Sequence, residues 1–115
     1  MRSLNFRTLA LKSARVARDK KADDIRVLNV KPLTTIANYF VLCSGNSDVQ
    51  VRTVAEAIEG ELKKSKYLIL HREADSNHHW IILDYGGVIV NIFSKPIREF
   101  YDLDGFWADA REIKW

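Results

Sequence analysis

Over residues 4–20 the apolar positions recur at helical spacing. At about 100° per residue, Phe6, Leu9, Ala10, Ser13, Val16 and Ala17 share one arc, and Arg7, Lys12, Arg15 and Arg18 share the opposite one. That spacing predicts an amphipathic helix with a cationic outer face. The period then shortens. Asp24-Ile-Arg-Val-Leu-Asn-Val30 alternates and predicts a strand. Lys31-Pro-Leu-Thr-Thr35 is a connector, with Pro32 ending regular structure. Tyr39-Phe-Val-Leu-Cys43 is an unbroken apolar run, suited to a central strand covered on both faces.

Ser44-Gly-Asn-Ser47 turns the chain into a second helix. Ser47 and Gln50 have the spacing of a capping box, in which the serine hydroxyl accepts a free N–H and the glutamine reaches back to another. Val51, Val54, Ala55, Ile58 and Leu62 line one side of this helix; Arg52, Glu56, Glu59 and Lys63 line the other. Tyr67-Leu-Ile-Leu70 reads as a third strand, and residues 72–78 as a polar loop. Two β-branched runs, Trp80–Tyr85 and Val88–Phe93, flank a Gly-Gly pair, a strong hairpin signal. With Gly86 and Gly87 as the turn, Ile81, Leu83, Tyr85, Val88, Val90 and Ile92 share one face, which is core. Trp80, Ile82, Asp84, Ile89, Asn91 and Phe93 share the other, a mixed face either covered by a helix or kept for a partner. Ser94-Lys-Pro96 opens a last helical region rich in aromatics.

The order is therefore α-β-β-α-β-β-β-α over a single domain spanning 1–115. The fold class is α/β (α+β): a mixed five-stranded sheet with helices packed on it, its second and third strands joined by a parallel crossover. Composition supports a globular chain, 47% hydrophobic and 29% charged. No run approaches the roughly 18 apolar residues of a membrane span, and no apolar leader with a cleavage site is visible, so no membrane partner is expected. The single Cys43 suits a reducing compartment, which reads as cytoplasmic.

Charge alters the picture in one place. Residues 1–21 hold seven Lys/Arg against one acid, and residues 22–115 hold eleven against fourteen. The basic excess belongs to the first helix, not to a broad patch. Its outer arc, Arg7, Lys12, Arg15 and Arg18, is a solvated face, an RNA-phosphate contact, or part of an organellar targeting segment.

No catalytic constellation stands out. Cys43 lies in an apolar strand, where burial raises a thiol's pKa and leaves it inert. His71, His78 and His79 have no ligand spacing for a metal, since adjacent strand residues point to opposite faces. The Ser44–Asp48 turn resembles the Gly-Ser turn of nucleotidyltransferases, and with Asp84 it defines an alternative enzyme reading. Asp84, however, has no second carboxylate on its strand to share Mg²⁺. The pattern implies no cofactor and no metal, and favours a binding protein over an enzyme.

Several segments together carry a resemblance. They are Lys21-Ala-Asp-Asp-Ile25, Ala37-Asn-Tyr-Phe-Val-Leu-Cys-Ser-Gly-Asn-Ser-Asp48, Val51-Arg52, His71-Arg-Glu73 leading to Trp80-Ile-Ile-Leu-Asp-Tyr-Gly86, and Val90-Asn-Ile-Phe93 running to Arg98-Glu-Phe-Tyr-Asp-Leu103 and Trp107. In this order the chain resembles the ribosomal silencing factor, or Iojap-related, family. The resemblance implies a nucleotidyltransferase-like fold without catalytic machinery. It implies binding to the large ribosomal subunit through its fourteenth protein, steric blocking of subunit association, and repression of translation when nutrients are short. It implies a binding region around Trp80 and Tyr101, and homodimers. With the mixed hairpin face, this makes Trp80, Ile82, Asp84, Asn91, Phe93, Arg98 and Tyr101 the candidate docking residues, with Trp80 and Phe93 as anchors and Arg98 and Tyr101 as rim. Asn29 and Asn38 stand where the family usually has Asp, Gly87 where Asp follows the turn glycine, and Asn91 where His is usual.

Overall fold

The computed structural model describes residues 5–115, so Leu4 of the predicted first helix lies outside the described residues. Helix α1 spans Phe6–Asp19, capped by the Asn5 side chain, which accepts from the Thr8 N–H. Strands β1 (Asp23–Asn29) and β2 (Tyr39–Gly45) follow, then α2 (Asp48–Lys64), β3 (His71–Ala74), β4 (Trp80–Asp84), β5 (Val88–Ser94), α3 (Lys95–Tyr101), α4 (Leu103–Phe106) and β6 (Arg111–Ile113).

The sheet has six strands, in the order β3-β4-β5-β2-β1-β6. Only the central β2–β5 pair is parallel; the other neighbours are antiparallel. The hairpin register is the one the alternation requires: Trp80 lies opposite Phe93, Ile82 opposite Asn91, and the Tyr85 N–H bonds the Val88 carbonyl at 2.9 Å. Gly86 takes φ +88°, a left-handed turn conformation natural to glycine.

Four sequence expectations need correction. Tyr67–Leu70 is not a strand; the third strand begins at His71, inside what reads as loop. The reason is reach rather than propensity. Lys66 (φ +66°) closes the end of α2, with the Tyr67 N–H bonded to the Leu62 carbonyl, so Tyr67 turns back onto the helix layer. The chain meets the sheet edge only at Leu70, whose N–H bonds the Asp84 carbonyl at 2.8 Å. Second, the crossover from β2 through α2 runs to the far edge, with β4 and β5 lying between; β3 still runs in the direction of β2, but they are not neighbours. Third, the C-terminal region is two short helices broken at Asp102 (φ +48°) and is followed by a sixth strand. That strand is only Arg-Glu-Ile and shows no apolar pattern; it is held by pairing with Val27–Asn29 and by the Arg26–Glu112 ion pair at 3.0 Å. Fourth, Ser47 caps α2 by accepting the Gln50 N–H, but the Gln50 side chain reaches back to the N–H of Asn46 and not to that of the cap. Its amide also donates to the carbonyls of Lys20 and Lys21, tying the end of α1 to the start of α2.

Both long helices pack on one side of the sheet. Leu9, Ala10, Ala14 and Ala17 of α1 and Val51, Val54, Ala55, Ile58 and Leu62 of α2 meet Val27, Val41, Cys43, Ile81, Leu83, Val90 and Ile92 in the main core. The other side is covered in part. Leu28, Val30, Phe40, Leu42 and Phe93 are buried there under Ile97, Leu103, Trp107 and Ala110 of the C-terminal segment. Trp107 meets Phe40 edge to face at 4.9 Å. Among the described residues nothing comparable covers β3 and β4, so the second face is split into a closed half and an open half.

Candidate functional site

Trp80 stands at the boundary between those halves. Its indole stacks on the Phe93 ring, opposite it across the ladder, with centroids 5.5 Å apart and planes at 23°. Tyr101, the last residue of α3, leans over the same indole at 5.2 Å. Phe100 meets Tyr101 edge to face at 5.1 Å. Tyr101 and Phe100 remain 51% and 78% exposed, and Phe106 is exposed beside them. Beyond Trp80 lies a depression of about 220 Å³ walled by Glu73, Ala74, Asp75, Trp80 and Ile82. The result is an aromatic ridge with a shallow cleft at its foot. The Trp80 Nε1–H is the one described buried side-chain polar atom with no hydrogen-bond partner.

What fixes Tyr101 over Trp80 is an ionic network under α3. Arg98 lies one helical turn before Tyr101 and is buried. Its Nε and Nη2 donate to the two oxygens of Asp104 at 2.9 Å each. Its Nη1 donates to the Asp24 carbonyl at 2.6 Å and to Ser44 Oγ at 2.9 Å. Asp104 also accepts from Arg26 Nη1 at 2.7 Å, and Arg26 reaches Glu112. The bonds from Arg98, ahead of those from Arg26, hold the Asp104 carboxyl at about 2, well below its ordinary value, against the opposing effect of burial. The hydrogen bonds that Arg26 donates to Glu112 and Asp104 raise its pKa. A cavity of about 600 Å³ opens beside this network, but Arg26 and Arg98 already point their donors at protein acceptors, and Lys95 pairs with Asp23 at 2.8 Å.

Three of the seven candidate docking residues therefore have a different role from direct contact. Phe93 is fully buried and is the floor under Trp80; Asn91 is buried; Arg98 is the buried bolt of α3 rather than a rim residue. Phe93 lies beneath the C-terminal segment, whose placement alternation along β5 does not reveal, and Arg98 belongs to that segment. Trp80, Ile82, Asp84 and Tyr101 keep accessible surface. Asp84 sits apart from the ridge, and its carboxylate accepts the Gly86 N–H at 2.8 Å, bracing the turn. The sequence reading missed Asp104 as the partner of Arg98, because only the αL turn at Asp102 folds α4 back beneath α3.

The alternative enzyme site is not assembled. Ser44 pairs with Phe93 and hence lies in the row of Trp80, whereas Asp84 lies in the row of Ile89 and Phe40. Four residues separate the rows, about 13 Å along a strand. Ser44 is engaged by Arg98, and Ser47 caps α2. Cys43 is buried, which pushes its thiol up to about 12. His79 contacts Asp48 at 3.3 Å and Asp75 at 3.5 Å, while His71 lies beside Glu73. Among the described residues no cluster of His, Cys, Asp or Glu could hold a metal ion.

On the opposite layer, Arg7, Arg15 and Arg18 are exposed and Lys12 is half-buried along α1. Among the described residues none of the four forms an ion pair, although the Arg18 guanidinium lies 5.5 Å from the centroid of the Trp115 ring.

The comparison with known proteins decides the family. A sequence model described as "Ribosomal silencing factor during starvation" matches residues 3–115. The chain belongs to the ribosomal silencing factor family. The Bacillus subtilis ribosomal silencing factor RsfS is 32% identical over 107 residues, covering 93% of this chain and 91% of that protein. The RsfS of Halalkalibacterium halodurans is 33% identical, covering 84% and 82%. The chloroplastic Iojap protein of Arabidopsis thaliana is 33% identical over 91% of this chain but only 44% of its own length. A crystal structure from Bacillus halodurans superposes with a TM-score of 0.82 at 27% identity, over 95% of this chain and 99% of that one. One from Chromobacterium violaceum gives 0.87 at 24% identity, over 91% and 88%, a likeness of fold. The single mixed α+β domain is thus the family's fold, and translation regulation at the ribosome is the activity its name describes.

Proposed function

We propose that this ribosomal silencing factor docks on the large ribosomal subunit, at its fourteenth protein, through the Trp80–Tyr101 ridge, and so blocks subunit association under nutrient limitation. The observation that carries the proposal is the half-open sheet face. Phe93 and α3 hold Trp80 and Tyr101 rigidly in an exposed aromatic ridge, the composition from which interface hot spots are drawn. Ile82 and the cleft beside it supply the apolar floor. Arg98, Asn91 and Phe93 act from beneath as positioning residues.

The test is co-sedimentation of the chain with purified large subunits. Trp80→Ala removes the ridge and should weaken binding at least tenfold, the cost of one hot spot of about 2 kcal/mol. Wild-type binding by a folded Trp80→Ala chain refutes the assignment.

The cationic arc of α1 supports a separate contact with RNA phosphates, since among the described residues its four charges have no carboxylate partner, and α1 lies on the side of the sheet opposite the Trp80 layer. The family name also admits bacterial and organellar sites of action, because relatives carry bacterial, chloroplastic and mitochondrial names. Homodimers, if formed, would add a second route to regulating access to the ridge.

A further inference from the structure

The order of the sheet leaves β3 at one end, with no strand among the described residues pairing its outer side. All four of its residues, His71–Ala74, are exposed. The preceding residues add apolar surface: Leu68 is 79% and Leu70 70% exposed. Tyr67–Leu70 is thus a run with the composition of a strand that reaches the sheet edge only at its last residue, where the Leu70 N–H bonds the Asp84 carbonyl. β3 contains no proline, and among the described residues no helix covers this edge. The opposite edge, β6, has only three residues.

Its polarity is set by the ladder. The Asp75 N–H bonds the Trp80 carbonyl, and antiparallel pairing alternates, so His71 and Glu73 aim their N–H groups at β4 while Arg72 and Ala74 aim theirs outward. The edge is also continuous with the proposed docking face, since Glu73 pairs with Ile82 and Ala74 with Ile81, and Glu73 and Ala74 wall the cleft beside Trp80.

We infer that β3 accepts an extended strand from the protein partner, so that docking at the Trp80 ridge is completed by main-chain hydrogen bonds to Arg72 and Ala74. The inference rests on the ridge reading above and names how the partner is held. Unpaired main-chain donors and acceptors recognise an extended peptide. Side chains select which one. Arg72 is already paired with Glu59 at 3.2 Å, whereas Glu73 has only the His71 imidazole beside it at 3.5 Å, so a matching strand places a cation opposite Glu73. A second copy of this chain fits poorly. Residues opposite each other in an antiparallel pair share a face, so a two-fold axis centred on the strand puts Arg72 opposite Arg72 or Glu73 opposite Glu73, a like-charge pair.

The experiment uses a proline at the outward N–H. Ala74→Pro deletes one outward donor and leaves the bonds to β4 in place, as edge strands tolerate. Ala74→Ser retains the donor. Large-subunit co-sedimentation should fall at least tenfold for Ala74→Pro relative to Ala74→Ser. Hydrogen–deuterium exchange on the wild-type chain should show Arg72 and Ala74 amides becoming protected when large subunits are added, a readout that does not depend on how the proline variant folds. Absence of new protection at both amides overturns the inference, as does wild-type binding by a folded Ala74→Pro chain. Loss of binding in Trp80→Ala alone overturns strand addition but keeps the ridge; failure of the wild-type chain to sediment with large subunits overturns both. Concentration-dependent self-association abolished by Ala74→Pro assigns the edge to a second copy and likewise overturns it.

Discussion

Replacing Asp104 by asparagine tests the network that holds α3, and with it Tyr101, against the sheet. The substitution keeps the shape but removes the charge that two arginines share. Arg98 is the residue that suffers, since its side chain is only 10% exposed. Stripping one partner from a buried ion pair costs about 3–5 kcal/mol. Arg98 retains the Asp24 carbonyl and Ser44 Oγ, and the asparagine oxygen can still accept one bond, so the cost here falls to about 2–3 kcal/mol. In a chain of 115 residues each kcal/mol moves the midpoint by about 4 °C, so the melt should drop by about 8–12 °C. The pH dependence supplies a second, independent sign. Asp104 is held at about 2 in the folded chain, below its ordinary 3.8. Its contribution is therefore complete above about pH 4 and is lost as pH falls through about 2. Because the carboxylate is partly exposed, that contribution is about 1–2 kcal/mol after screening. Melts followed by circular dichroism between pH 2 and pH 7 should show the gap between wild type and Asp104→Asn narrowing towards pH 2. A gap under 2 °C at pH 7, or one that widens on acidification, would refute the view that this network anchors the C-terminal segment.

Two further outcomes follow from the same geometry. At Gly87 an added Cβ would overlap the ring of Phe6, so Gly87→Ala should cost about 1–3 kcal/mol in a denaturant titration, and Gly87→Asp, the residue usual in the family, should be no better tolerated. If the α1 arc contacts RNA, the triple variant Arg7→Gln, Arg15→Gln and Arg18→Gln should flatten the salt dependence of ribosome association, each lost phosphate contact removing about 0.7–0.9 from the logarithmic slope; an unchanged slope rejects that contact.

The sequence went far towards this fold where period and local chemistry act within one element. The helical spacing of Leu9, Ala10, Val16 and Ala17, the Ser47 cap, the parity of Ile81, Leu83, Val90 and Ile92, and the Gly-Gly turn all depend on neighbours no more than a few residues away or directly across a tight hairpin. The resemblance carried by segments such as Trp80–Gly86 and Arg98–Leu103 pointed to the family that the comparison shows. The tertiary structure decided what depends on distance. Tyr67–Leu70 has a strand's composition yet lies off the sheet, because the end of α2 turns it back before it reaches an edge. Arg111-Glu-Ile113 has no strand's composition yet pairs, because the free edge of β1 is within reach. Above all, the mixed face of the hairpin could be assigned only once α3 and α4 were placed. They cover Phe93, and Arg98 of α3 is itself buried, whereas Trp80 keeps accessible surface and Tyr101 remains exposed. Alternation fixes the side of a sheet on which a residue lies, while burial depends on what the rest of the chain lays over that side.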